Sequence, residues 1–335
     1  MTPNRFRVVL VAFLFGSIPV AAFGDDVSPP SKMSVDSAAE LRAAIDILKN
    51  HHMFREKADW SAIEARAFTM AAGAKTAADT YPAIAYALHQ MGEHHSHLLP
   101  AMVVKALHEN KPGTGETTLP KAGQYPGGIV AINMPGHTGS AESDRAYVAE
   151  LRRILDKARK LGHCRIAIDL RWNDGGNMWP MLNGVASLLG KSPYGYFLNS
   201  GAPQEPWNLS SGWMSLSDEG IALISPDLAR AQSNIPVAVL VSRHTISSGE
   251  FTAIAFEGRP HTRLFGEPTG GFVTVNSQYE LPDGAEMFIS TGWAEDRLHR
   301  PYRVAVVPDD ETALGQPTFD AAVKWLKSQP CRRAK

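Results

Sequence analysis

Residues 164 to 190 read CRIAIDLRWNDGGNMWPMLNGVASLLG, and the order of elements in that stretch decides the fold class. A short β-branched run, CRIAIDL, passes through Gly175 and Gly176 into a run of helical apolar spacing, MWPMLNGVASLLG. A strand that turns directly into a helix is half of a βαβ unit. Paired glycines let the backbone approach a ligand and aim N–H groups at an anion, so the turn reads as an oxyanion or phosphate site, or as a tight turn that simply needs glycine. Neither GxxxxGK[ST] nor GxGxxG occurs, which argues against phosphate.

Working outward, GGIVAINM and IPVAVLVS are further β-branched runs, while DRAYVAELRRILDKARKLG and SGEFTAIAFEG carry helical periodicity. Together they predict an α/β core over 125–330, with VTVNSQYEL and AEMFIST as added strands. Upstream, LRAAIDILKNHHMF, WSAIEARAFTMAAGA and YPAIAYALHQMG predict a small helical N-terminal unit over 36–107. The Gly-, Pro- and Thr-rich stretch 108–126 reads as the boundary between them. Residues 200–233 form an irregular insertion with no assigned element, placed where it would shape a pocket.

A chain of 335 residues with 44% apolar content can bury a large core, and a net charge of −1 with no long basic run argues against nucleic acid as a partner. At the start, Arg5 and Arg7 precede an apolar stretch from Val8 to Val20, and small residues then lead to Asp25. That layout predicts a signal peptide over 1–24, cut after Gly24 or Ala22, and a periplasmic or secreted protein without stable membrane insertion; an uncleaved anchor is the other reading. Export permits a disulfide, so Cys164 and Cys331 are either bridged or two separate thiols.

Three stretches carry candidate chemistry. Ser247 and Ser248 lie where IPVAVLVS gives way to a helix, and Ser247 with Glu250 matches a capping box. A helix start also offers free N–H groups to an oxyanion, so the same serine suits a nucleophile. The glycine turn is the second stretch. The third is MGEHHSHLLP, residues 91–100, where His94, His95 and His97 surround Ser96; it reads as a source of a base, as a polar loop, or with Glu93 as a metal site, although the HExxH spacing is absent.

In register, DLRWNDGG, TISSGE, FGEPTGG, YELPDG and VVPD resemble the S41 serine peptidases over residues 85 to 310. The resemblance implies a ClpP/crotonase-like fold. It also implies Ser247 as nucleophile, an oxyanion hole from the Ser248 N–H with Gly175 or Gly176, Glu250 in support, and no cofactor or metal. Phe272 stands where the processing-protease branch has its catalytic lysine, and too few residues separate His97 from Ile129 to hold that branch's PDZ domain. The chain is therefore similar to the lysine-free branches, such as the tricorn core and interphotoreceptor retinoid-binding protein. MGEHHS matches their histidine segment and implies His95 as base with Ser96 beside it. Their glutamate falls on Tyr302 here, so Asp296, in WAEDR, stands in as third member. The implied activity is hydrolysis of peptide bonds in a peptide or protein; a binding protein without turnover and an ester or small acyl hydrolase are the alternatives. A histidine base predicts an acid limb with an apparent pKa of roughly 6 to 7.

Overall fold

The computed structural model describes residues 32–109, 118–199, 204–208 and 234–331. The signal-like stretch 1–24 and most of the insertion at 200–233 lie outside them.

The chain begins with helices α1 (Val35–His51), α2 (Trp60–Met70) and α3 (Tyr81–His89). In α1, Leu41, Ala44, Ile45 and Leu48 recur at helical spacing and are buried, and Ser34 caps the first turn by accepting from Ser37 N. Strand β1 (His97–Leu99) and helix α4 (Ala101–Glu109) follow. The core then runs β2 (Lys121–Tyr125), β3 (Ile129–Asn133), α5 (Ala141–Lys160), β4 (Arg165–Asp169), α6 (Met178–Leu189), β5 (Gly195–Asn199) and β6 (Glu205–Pro206). It continues with β7 (Val237–Val241), α7 (Ser248–Phe256), β8 (Thr262–Gly266), β9 (Thr274–Glu280), β10 (Glu286–Asp296), β11 (Pro301–Tyr302), β12 (Asp310–Glu311) and α8 (Gln316–Ser328).

Two sheets result. The first has the order β12-β8-β7-β4-β3-β2, parallel except for β2. Alternation along its strands sorts the residues to two faces: Val237, Val239 and Val241 pack with α5, α6 and α7, whereas Ala238 and Leu240 pack against Ala322 and Leu326 of α8. Burial on both faces explains the unbroken VAVLV run. The second sheet is antiparallel and centred on β10, which pairs with β1, β5, β9 and β11. Its Leu281, Met287 and Ile289 share one core with Leu41, Leu48, Ile63 and Ile84, so the N-terminal helices are covered by strands from the far end of the chain.

Cys164 and Cys331 are joined in a disulfide, Cα atoms 5.2 Å apart, which ties the end of α8 to the start of β4. Directly after β6, the fully buried Trp207 packs against Phe197 and Phe251. Among the described residues no helix is long and apolar enough to cross a membrane.

Candidate active site

The site forms at the carboxyl ends of β4 and β7, where both strands turn into helices. After β7, Thr245 Oγ1 donates to the Leu170 carbonyl and the Ile246 N–H to the Asn173 carbonyl, which lashes the serine loop to the glycine turn. Ser247 is the N-cap of α7, at φ 52° and ψ −121°. A non-glycine residue there costs on the order of 1–3 kcal/mol, offset by the surrounding bonds. The cap works through its partner: Ser247 N–H donates to Glu250 Oε2 at 2.9 Å, while Ser247 Oγ points to His95 Nε2, 3.0 Å away.

Glu250 is fully buried and also accepts from Thr269 Oγ1 and the N–H groups of Gly271 and Phe272. Burial pushes its pKa up, and these donors pull against that shift.

The glycine turn lies against the serine. A methyl group on Gly175 would come within 2.9 Å of Ser247 Cβ and 3.4 Å of Ser248 N. Gly175 N–H is committed to Asn173 Oδ1 at 3.0 Å, and its carbonyl accepts from His137 N. Across a trans peptide the Gly176 N–H points opposite that carbonyl, away from His137. Ser248 N–H occupies the first turn of α7, where no intrahelical acceptor exists. Its hydroxyl donates to the Gly176 carbonyl, so turn and helix start are joined. Behind the turn, His137 and Asp144 form a buried pair at 2.6 Å.

Of the three clustered histidines only His95 reaches Ser247. His94 is exposed near His89, and His97 is exposed and stacked on Phe288; both line a cleft of about 510 Å³ between α3 and β1. Phe272 meets the His95 ring edge-on at 5.4 Å. Burial lowers the His95 pKa to about 4, against an opposing pull from Glu93, so the imidazole is neutral near pH 7. For Glu93, burial acts upward, but donors from His52, Ser96 and the backbone of His95 and Ser96 bring it to about 2. Glu93 thereby holds the loop that carries His95. Ser96 Oγ accepts from Ser290 N, pinning the loop to β10. Among the described residues no group of three or more His, Cys, Asp or Glu side chains is placed to hold a metal.

Asp296 is a correction. Its carboxylate is spent on the β10–β11 turn, accepting from Leu298 N, Arg300 N, Arg300 Nε and Tyr302 OH. The group 2.8 Å from His95 Nδ1 is instead Thr274 Oγ1 on β9, itself 2.8 Å from Ser290 Oγ on β10. The sequence reading missed both. The available signal was Thr274 and Asn276 two apart on one face of an anticipated strand.

A family model for peptidase family S41 matches residues 129–309. The chain is 26% identical over 290 residues to a nisin-resistance protein from Lactococcus lactis, covering 86% of each. It is also 26% identical over 162 residues to a carboxyl-terminal-processing protease from a Picosynechococcus strain, covering 48% of this chain and 35% of that one. Among solved structures, a lipoprotein from Streptococcus agalactiae superposes with a TM-score of 0.75 at 24% identity, over 91% of this chain and 99% of that one. A photosystem II D1 C-terminal processing protease gives 0.61 at 13% identity, over 90% and 100%. These last two likenesses bear on the fold, which is the mixed helix and sheet architecture the sequence implied. With a matching model over more than half of its length, the chain belongs to peptidase family S41.

Proposed function

We propose that this chain is an exported serine peptidase in which Ser247 is the nucleophile and His95 the general base. The observation that carries the reading is the 3.0 Å approach of Ser247 Oγ to a neutral, half-buried imidazole nitrogen. Ser247 Oγ attacks the peptide carbonyl carbon as its proton passes to His95 Nε2. The oxyanion is received by the N–H groups of Ser248 and Gly176, which replaces Gly175 in that role because the Gly175 N–H is already bonded. Collapse breaks the C–N bond, His95 returns the proton to the leaving amine, and water then hydrolyses the acyl-serine by the same route.

Relatives named for nisin resistance and for carboxyl-terminal processing support a peptide or protein substrate. The basic and apolar N-terminus and the disulfide support export.

A fluorophosphonate probe tests the assignment. Wild type and Ser248→Ala are expected to label and Ser247→Ala is not. Equal labelling of wild type and Ser247→Ala would overturn it, and an unlabelled, folded wild type would mark a binding protein.

A further inference from the structure

We infer that Thr274, Ser290 and Asn276 form an uncharged relay that holds His95 in its Nδ1–H tautomer, doing the positioning that a carboxylate does in a three-member site. The inference rests on the reading of Ser247 and His95 above, and it follows from which atoms can donate.

The His95 carbonyl oxygen can only accept, so the Asn276 amide atom 3.0 Å from it is Nδ2. Asn276 Oδ1 then faces Ser290 Oγ at 3.2 Å and also can only accept, which commits the single Ser290 hydroxyl proton to it. Ser290 has only a lone pair left for Thr274 Oγ1, 2.8 Å away, so the Thr274 proton goes to Ser290. Thr274 is left with lone pairs toward His95 Nδ1 at 2.8 Å, and that nitrogen must carry the proton. Nε2 is therefore bare and faces Ser247 Oγ, as a general base requires. Every contact in the chain has a proton only in this one direction.

The frame around it is stiff. Ser290 is fully buried and Thr274 is 7% exposed. Ser290 N donates to Ser96 Oγ and its carbonyl accepts from Met53 N, so the relay is gripped by both the base loop and the N-terminal helices. A hydroxyl orients the ring without the charge that would favour imidazolium, which agrees with a base that stays neutral well below pH 7.

Long-range proton–nitrogen NMR correlations of the ¹⁵N-labelled protein read the tautomer, with the His95 signals assigned by their loss in His95→Gln. The expected result is a protonated Nδ1 and a bare Nε2. Thr274→Val should populate the opposite tautomer and lower kcat/KM roughly 10²-fold or more through kcat, with Thr274→Ser restoring both. Ser290→Ala, which frees the Thr274 proton for Nδ1, should shift the tautomer in the same direction and covers the case of a Thr274→Val that does not fold. A wild-type His95 bearing its proton on Nε2, or an unchanged tautomer in folded Thr274→Val or Ser290→Ala, would overturn the relay. Since the NMR readout needs no turnover, a relay confirmed beside an active Ser247→Ala would reject the peptidase reading alone.

Discussion

The two sheets contribute to the site by different means. The parallel sheet supplies Ser247 and the glycine turn through its backbone: a strained N-cap, positive-φ glycines and N–H groups at the start of α7. The antiparallel sheet and the loop before β1 supply His95 and its partners through side chains, a chain of hydroxyls and one amide. Glu250 joins the halves, since it grips the Ser247 N–H on one side and the N–H groups leading into β9 on the other. In the first half, added atoms should therefore do the damage; in the second, removed ones should.

The largest expected effect breaks the contact between the halves. Ser247→Ala should lower turnover by about 10⁴ to 10⁶, His95→Ala nearly as much, and the double variant little further, because the pair acts as a unit. Steady-state rates on a peptide substrate check this. Additive losses would mean that the two halves work separately. His94→Ala and His97→Ala, whose rings face the cleft, should turn over substrate near the wild-type rate.

Next comes an added atom. Gly176 sits at φ 100°, and a Cβ there would lie 2.1 Å from the His137 carbonyl oxygen, so Gly176→Ala must displace the turn. A fall of about 10² to 10³ in kcat is expected, the scale of losing one oxyanion donor, together with a lower Tm. An Ala variant with wild-type kcat would show that this turn does not serve the oxyanion.

The same contrast explains what could be read in advance. The parallel half announces itself locally, since paired glycines, S-x-x-E spacing and β-branched runs each concern neighbours in the chain. The antiparallel half depends on pairing across 179 positions between His95 and Thr274, and hydroxyl residues in a strand look like ordinary β-formers. Asp296 suits a third member by its chemistry, but its place at the end of β10 commits it to the next turn. Helical spacing likewise revealed the apolar faces of α1 and α3 without revealing that β10 covers them.

A third test separates stability from catalysis. The disulfide lies at the amino end of β4, opposite the end that carries the site, and closes a loop of 167 positions. Its removal in Cys164→Ala/Cys331→Ala should cost on the order of 5 kcal/mol in chemical denaturation while kcat of the folded fraction stays at its wild-type value. A large change in kcat would mean that the two ends of the parallel sheet are coupled.

The smallest expected effect concerns acid, and it asks whether the relay half behaves as uncharged. Burial holds the His95 pKa near 4, so lowering the pH from 7 to 5 leaves most of the base neutral, and kcat/KM should fall by only about a tenth. An ordinary imidazole would lose about 25-fold over the same range. The sign follows from the mechanism: protonation removes the lone pair that accepts the Ser247 proton, so activity is present above the His95 pKa and lost as pH falls through it. Two other groups facing these loops titrate in acid. Glu93, held to about 2, stays ionised throughout, while Glu250, raised by burial, does not have that margin. Glu250→Gln separates the cases, because an acid limb belonging to His95 persists in that variant and one belonging to Glu250 disappears. A wild-type limb near 6.5 that survives Glu250→Gln would show an imidazole that burial does not perturb, and only a limb well above 6.5 would call for an acid rather than Thr274 beside His95.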